Sequence, residues 1–151
     1  AYLQSTDAQT IIGANGYVKQ ENAGQTAYSA PAEALSGTVA LRGSTSVEPL
    51  MNKLIGGYKA KGGANVSNVV FDLDAQGSSA GIAAAKNDAN GNVIGMSSSG
   101  LKAADAAVLD SFNIALDAVA VIVNKSNKIT DLTIAQIFDI YTGATTKFSE
   151  L

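Results

Sequence analysis

Gly43-Ser44-Thr45-Ser46, Gly77-Ser78-Ser79-Ala80-Gly81 and Ser97-Ser98-Ser99-Gly100 are the stretches of this chain best suited to chemistry. Each combines glycine, which lets a backbone approach a ligand closely, with hydroxyls that donate or accept hydrogen bonds. Each also falls between a segment patterned as a strand and one patterned as a helix. The first N–H groups of a helix have no intrahelical partner and carry partial positive charge, so such a junction favours an anion. A serine ahead of a helix is ordinarily only an N-cap, and a Gly-Ser pair only a turn. Three in series are harder to read that way. Converging at the carboxyl edge of a parallel sheet, they would form a cup of neutral donors for a small tetrahedral oxyanion.

Other chemistries are poorly served. The chain has no His and no Cys, which excludes a Ser–His–Asp triad, a Cys nucleophile and an ordinary zinc site. Its net charge is −3, its lysines are scattered singly and Arg42 is its one arginine, so no nucleic-acid partner is expected. Neither GxGxxG nor GxxxxGK[ST] occurs. Asp72-Leu-Asp74-Ala-Gln76-Gly77 opens like a calcium loop, but Ala83 stands where the bidentate Glu is required. Asp88-x-Asn90-x-Asn92 fails as well, with Val93 in the glycine's place. No metal and no cofactor are expected. A serine nucleophile would need a base beside it, and only Asp72, Asp74 or Asp117 could serve. A phosphoryl-transfer enzyme or phosphatase is therefore the weaker alternative.

The elements that must position these loops follow from the pattern. At 151 residues and 46% apolar composition, the chain can bury a core of its own. No apolar run approaches the roughly 20 residues of a membrane helix. The chain opens without Met or an export signal and is expected to be mature or trimmed protein. Residues 1–20 read as short helical pieces ending at Asn15-Gly16, with Thr6 and Gln9 as a capping box. Residues 21–37 have linker composition, with Pro31 and flanking glycines. Strands are then predicted at 38–41, 66–73 and 93–96. Helices are predicted at 47–58, where Val47, Leu50, Met51, Leu54, Ile55 and Tyr58 share one face, at 80–87 and near 101–109. Residues 114–123, interrupted by Asp117, suggest two strand pieces or a crossover. A last helix over 134–141 is framed by a Thr133/Gln136 capping box and by Gly143. The rhythm predicts an α/β fold with a mostly parallel sheet and flanking helices.

At these residues the chain resembles a family. Gly43-Ser-Thr-Ser-Val-Glu-Pro-Leu-Met51, Gly77-Ser-Ser-Ala-Gly-Ile82, Ile94-Gly-Met-Ser-Ser98 with Leu101-Lys102, Ile114-Ala-Leu-Asp117 with Ala120-Val-Ile-Val-Asn124, and Leu132-Thr-Ile-Ala-Gln136 with Ile140-Tyr-Thr-Gly143 occur in that order. Together they resemble the N-terminal half of the phosphate-binding proteins of high-affinity phosphate ABC importers. The resemblance implies a type II binding-protein fold, extracytoplasmic in a bacterium, that closes two lobes around inorganic phosphate and docks on importer membrane subunits. It implies that Thr45, Ser46, Ser78 and Ser98 donate to the anion, with Ser44 and Ser79 beside them. Some members carry an Asp at the position of Ser98 and others an Arg at that of Ser99, so phosphate selectivity here rests on kinship. Asp117 is a candidate acceptor for the phosphate proton.

The implied organisation is a first lobe over 38–116, then a crossover and the incomplete start of a second lobe over 117–151. The rest of that lobe would come from elsewhere in a parent chain or from a complementary chain. Asp7-Ala-Gln9-Thr-Ile-Ile12 and Asn15-Gly16-Tyr17-Val18 resemble the family's C-terminal end, placed ahead of the linker. Two arrangements explain that order: a junction between tandem receptor copies, or a circular permutation with residues 1–20 docked on the first lobe. Docking predicts that Ile11, Ile12 and Tyr17 are buried. A surface module that has lost its ligand is a further alternative.

Overall fold

The computed structural model describes residues 1–20, 24–118, 120–147 and 149. The chain divides into two units, Ala1–Ala118 and Val119–Leu151.

The first unit is built on a parallel sheet of β2 (Ser36–Gly43), β3 (Asn68–Asp74) and β4 (Val93–Met96), with β2 in the middle. It is preceded by α1 (Thr6–Ala14) and the short β1 (Val18–Lys19). The crossovers carry α2 (Glu48–Gly62) and α3 (Ser78–Lys86). Parallel neighbours cannot be joined by a tight turn, which is why a helix lies between each strand and the next. The register sets Leu41 beside Leu73 and Ile94, so apolar side chains line one face of the sheet.

That face receives α2, whose Leu50, Met51 and Leu54 are buried and whose Ile55 and Tyr58 pack beside them. Each such side chain contributes about 1.5–3 kcal/mol by leaving water. Residues 1–20 close the same core. Ile12 and Ala8 are fully buried, α1 packs on α2, and Ile11 and Tyr17 are half-buried against the cluster. The expectation of burial thus holds fully for Ile12 and in part for the other two.

Several local expectations change. The cap of α1 is Ser5, whose Oγ accepts the Ala8 N–H at 3.2 Å, so the Thr6/Gln9 capping box does not form. The Gln9 carboxamide is instead buried, donating to Ile114 O at 3.1 Å and accepting the Gln20 N–H at 2.8 Å. It holds α1 to the antiparallel pair that β1 makes with β5 (Ala115–Leu116). Within the predicted linker, 24–35 is irregular but fastened. Thr26 O accepts the Thr6 N–H at 3.1 Å, Asn65 O accepts the Leu35 N–H at 2.7 Å, and the Tyr28 ring meets Tyr2 edge-on at 5.2 Å. Residues 21–23 lie outside the described residues, and Ser36 and Gly37 already belong to β2.

The helix expected near 101–109 shortens to α4 (Ala103–Ala106), none of whose residues is buried. One helical turn without an apolar face to dock has little to sustain it. Of the two strand pieces expected over 114–123, β5 forms and 120–123 does not pair, Val119 lying outside the described residues.

In the second unit, α5 (Ile134–Thr142) carries the predicted Thr133/Gln136 capping box and ends at Gly143 in the left-handed region at φ 79°. Its Ile134, Phe138 and Tyr141 are exposed.

Candidate oxyanion site

The three serine-rich junctions meet at the carboxyl edge of the sheet. Gly43 ends β2 and hands over to α2, and its carbonyl accepts the Gly77 N–H at 2.7 Å. The Ser44 N–H donates to Met96 O, the last residue of β4, at 2.9 Å. Ser78, first in α3, accepts the Ser98 N–H at 3.2 Å, and the Ser78 and Ser98 hydroxyls lie 3.2 Å apart. Each loop is therefore hydrogen-bonded to another.

Glycine makes this closeness attainable. A Cβ on Gly81 would stand 2.7 Å from Gly43 Cα and 2.9 Å from Met96 O, and would also meet Arg42 O. All three obstacles are backbone, so any side chain there would force α3 away from the sheet.

The helix N-termini at the cup are not closed by side chains. The α2 N-cap is Val47 and the α3 N-cap is Gly77, and neither helix has a side-chain cap hydrogen bond. By contrast α1 and α5 do have one, from Ser5 and Thr133, while the one-turn α4, which follows the third loop, has none. Thr45 and Ser46 immediately precede the Val47 N-cap and Ser78 and Ser79 open α3, and none of them caps its helix. In α2 the Val47 and Glu48 N–H groups bond Ser44 O and Pro49 has none, so the amides left facing an anion are those of Thr45 and Ser46 ahead of α2 and of Ser78 and Ser79 at the start of α3.

Of the predicted site residues, Thr45, Ser46 and Ser98 are exposed at the cup, Ser78 is half-buried, and Ser79 is exposed on the first turn of α3. Ser44 is 2% exposed; its carbonyl accepts the Val47 and Glu48 N–H groups, so it shapes the turn. Ser97 and Ser99 engage each other: the Ser97 hydroxyl donates to Ser99 O at 2.7 Å and accepts the Ser99 N–H at 3.2 Å. Asp117 follows β5, is exposed, and accepts the Ala118 N–H at 2.9 Å; among the described residues no hydrogen bond joins it to the cup.

Charge at this edge is paired. Arg42 donates to Asp72 O at 2.6 Å and forms an ion pair with the Asp72 carboxylate, which raises the guanidinium pKa. Asp74 accepts from Gln76 Nε2 at 2.9 Å. The Arg42–Asp72 pair joins the carboxyl-terminal ends of two adjacent parallel strands; sequence reading found both residues but not their partnership, because register is not visible in either strand alone. Among the described residues no carboxylate hydrogen-bonds a cup serine, and no group of acidic residues is arranged to hold a metal. What remains is a neutral cluster of hydroxyls and amides where α2 and α3 begin.

Residues 28–150 match a family model described as a PBP superfamily domain, and the chain belongs to that family. It is similar to the phosphate-binding protein PstS 2 of Streptococcus agalactiae serotype V, 38% identical over 151 residues that are 99% of this chain and 48% of the relative. It is also similar to the phosphate-binding protein PstS 2 of Streptococcus pneumoniae serotype 4, 32% identical over 100% of this chain and 49% of the relative. In structure it matches a phosphate-binding protein of a phosphate ABC transporter from Streptococcus pneumoniae TIGR4. The TM-score is 0.85 at 32% identity, covering 99% of this chain and 55% of the other. The chain thus spans about half the length of the curated relatives it matches.

Proposed function

We propose that this chain forms the first lobe and the beginning of the second lobe of an extracytoplasmic receptor that binds inorganic phosphate and delivers it to an ABC importer without chemical change. The observation that carries the reading is the contrast in capping: the two helices at the cup lack side-chain caps although hydroxyl residues lie beside them. The relatives' names point to the same ligand. Thr45, Ser46, Ser78 and Ser98 are the proposed donors, with Ser79 beside them and Ser44 setting the turn. Among the described residues no cation hydrogen-bonds a cup serine, Arg42 being held by Asp72, so further ligands come from the half of the receptor beyond these residues. Asp117, which accepts the Ala118 N–H here, is the proposed acceptor of the phosphate proton once that half is in place.

The same reading takes residues 1–20 as part of the first lobe: they pack into the core of the first unit, and relatives about twice this length match the chain over 99–100% of it, so neither a tandem junction nor a permutation is needed to explain their place.

Half a site binds weakly, and a thermal-shift comparison suits it. If phosphate binds with a dissociation constant of about 1 mM, about 20 mM phosphate adds about 1.8 kcal/mol of stability by mass action, a rise of several degrees over matched chloride. Thr45→Ala combined with Ser46→Ala is expected to abolish that rise. A rise that survives the double substitution would be general salt stabilisation and would sink the reading.

A further inference from the structure

The Ser78–Ser98 pair has a property that a charged acceptor lacks. The Ser98 N–H already donates to Ser78 Oγ, and the two hydroxyl oxygens are 3.2 Å apart with either able to donate. Each hydroxyl has one hydrogen and two lone pairs. Whichever way the shared hydrogen bond runs, the pair keeps one hydrogen and two lone pairs for a ligand, and reversing it moves that hydrogen from one serine to the other. Ser97 and Ser99 are satisfied within their own turn and leave this role to Ser98.

We propose that this pair is a reversible donor–acceptor element that makes the cup a receptor for tetrahedral oxyanions with or without an acidic proton, sulfate as well as phosphate. The inference rests on the anion-binding reading above. Facing a protonated phosphate, a lone pair accepts the ligand O–H while the hydrogen goes to a neighbouring oxygen. Facing fully ionised sulfate, the mutual hydrogen bond opens and both hydroxyls donate. The cost of that change is one neutral hydrogen bond. A fixed carboxylate would instead be left against an anion with no proton between them, and discrimination comes from such repulsive contacts. The nearby carboxylates do not restore it: Asp72 is held by Arg42, Asp74 by Gln76, and neither reaches a cup serine.

The test is a backbone-amide NMR titration of the chain with inorganic phosphate and, separately, with sulfate, repeated on Ser98→Asp. Position 98 is exposed in a loop, and the spectrum itself reports whether the variant is folded. In the parent chain both anions are expected to shift the amides of 78 and 98, with dissociation constants within about tenfold of each other, a difference of about 1.4 kcal/mol or less. Ser98→Asp is expected to weaken sulfate by tenfold or more relative to phosphate. Phosphate binding with sulfate excluded, or an unchanged ratio in Ser98→Asp, overturns the inference and leaves phosphate binding standing. If neither anion perturbs the cup, both fail.

Discussion

Asp7 stands where three parts of the first unit meet. Its carboxylate accepts the Tyr28 N–H at 2.7 Å and pairs with Lys61 at 2.7 Å, joining α1 to the 24–35 strap and to the end of α2. The hydrogen bond from Lys61 first, and that from Tyr28 second, hold the carboxyl below the usual Asp value. A depressed folded-state value means the unfolded chain binds protons more readily in the interval between the two. Stability from this group is therefore present at neutral pH and is lost as pH falls from about 4 through the lowered value. Asp7→Asn is expected to be less stable than the parent at pH 7 in urea unfolding, and the gap should shrink toward pH 2–3. A gap that stays constant with pH would assign the effect to packing. At the cup the decisive residues are the uncharged ones: hydroxyls positioned beside helix N-termini that they do not cap.

At the scale of elements, the crossing of α3 over the ends of β2 and β4 sets the spacing of the loops. Gly81→Ala places a methyl against backbone on three sides, so it is expected to cost about 1–3 kcal/mol and to loosen the Ser78–Ser98 contact. Urea unfolding with amide spectra of 78 and 98 measures both; an unperturbed variant would mean the helix is not seated as described. Much of this scaffold was legible in the sequence. β4 matches its expected bounds, and α2, α3 and α5 fall within two to four residues of theirs, because each has a regular apolar period, a clear stop or both. The misses have physical causes. The Thr6/Gln9 pattern imitates a capping box, but the buried Gln9 amide satisfies two distant backbone groups instead. Residues 101–109 are Ala-rich enough to suggest a helix, yet Val108 finds nothing to pack on and α4 stops after one turn. The convergence of the three loops was legible because parallel strands put their carboxyl ends on one edge. The Ser78–Ser98 contact was not, since it depends on how closely α3 approaches β4.

For the molecule as a whole, residues 1–20, which the sequence left open as the tail of another copy or as a docked segment, pack into the core of the first unit. Ile12 and Ala8 are as buried as Leu41 and Leu54. The second unit differs: α5 keeps Ile134, Phe138 and Tyr141 exposed, and a segment of that size cannot bury a core by itself. The three loops proposed to bind the anion all belong to the first unit. The most direct test follows every backbone amide of the chain while inorganic phosphate is added at constant ionic strength. If the three loops contact one anion, the amides of 45–48, 78–80 and 98–99 shift together along one saturation curve. Shifts scattered over the lysines, or loops that respond with separate constants, would contradict it.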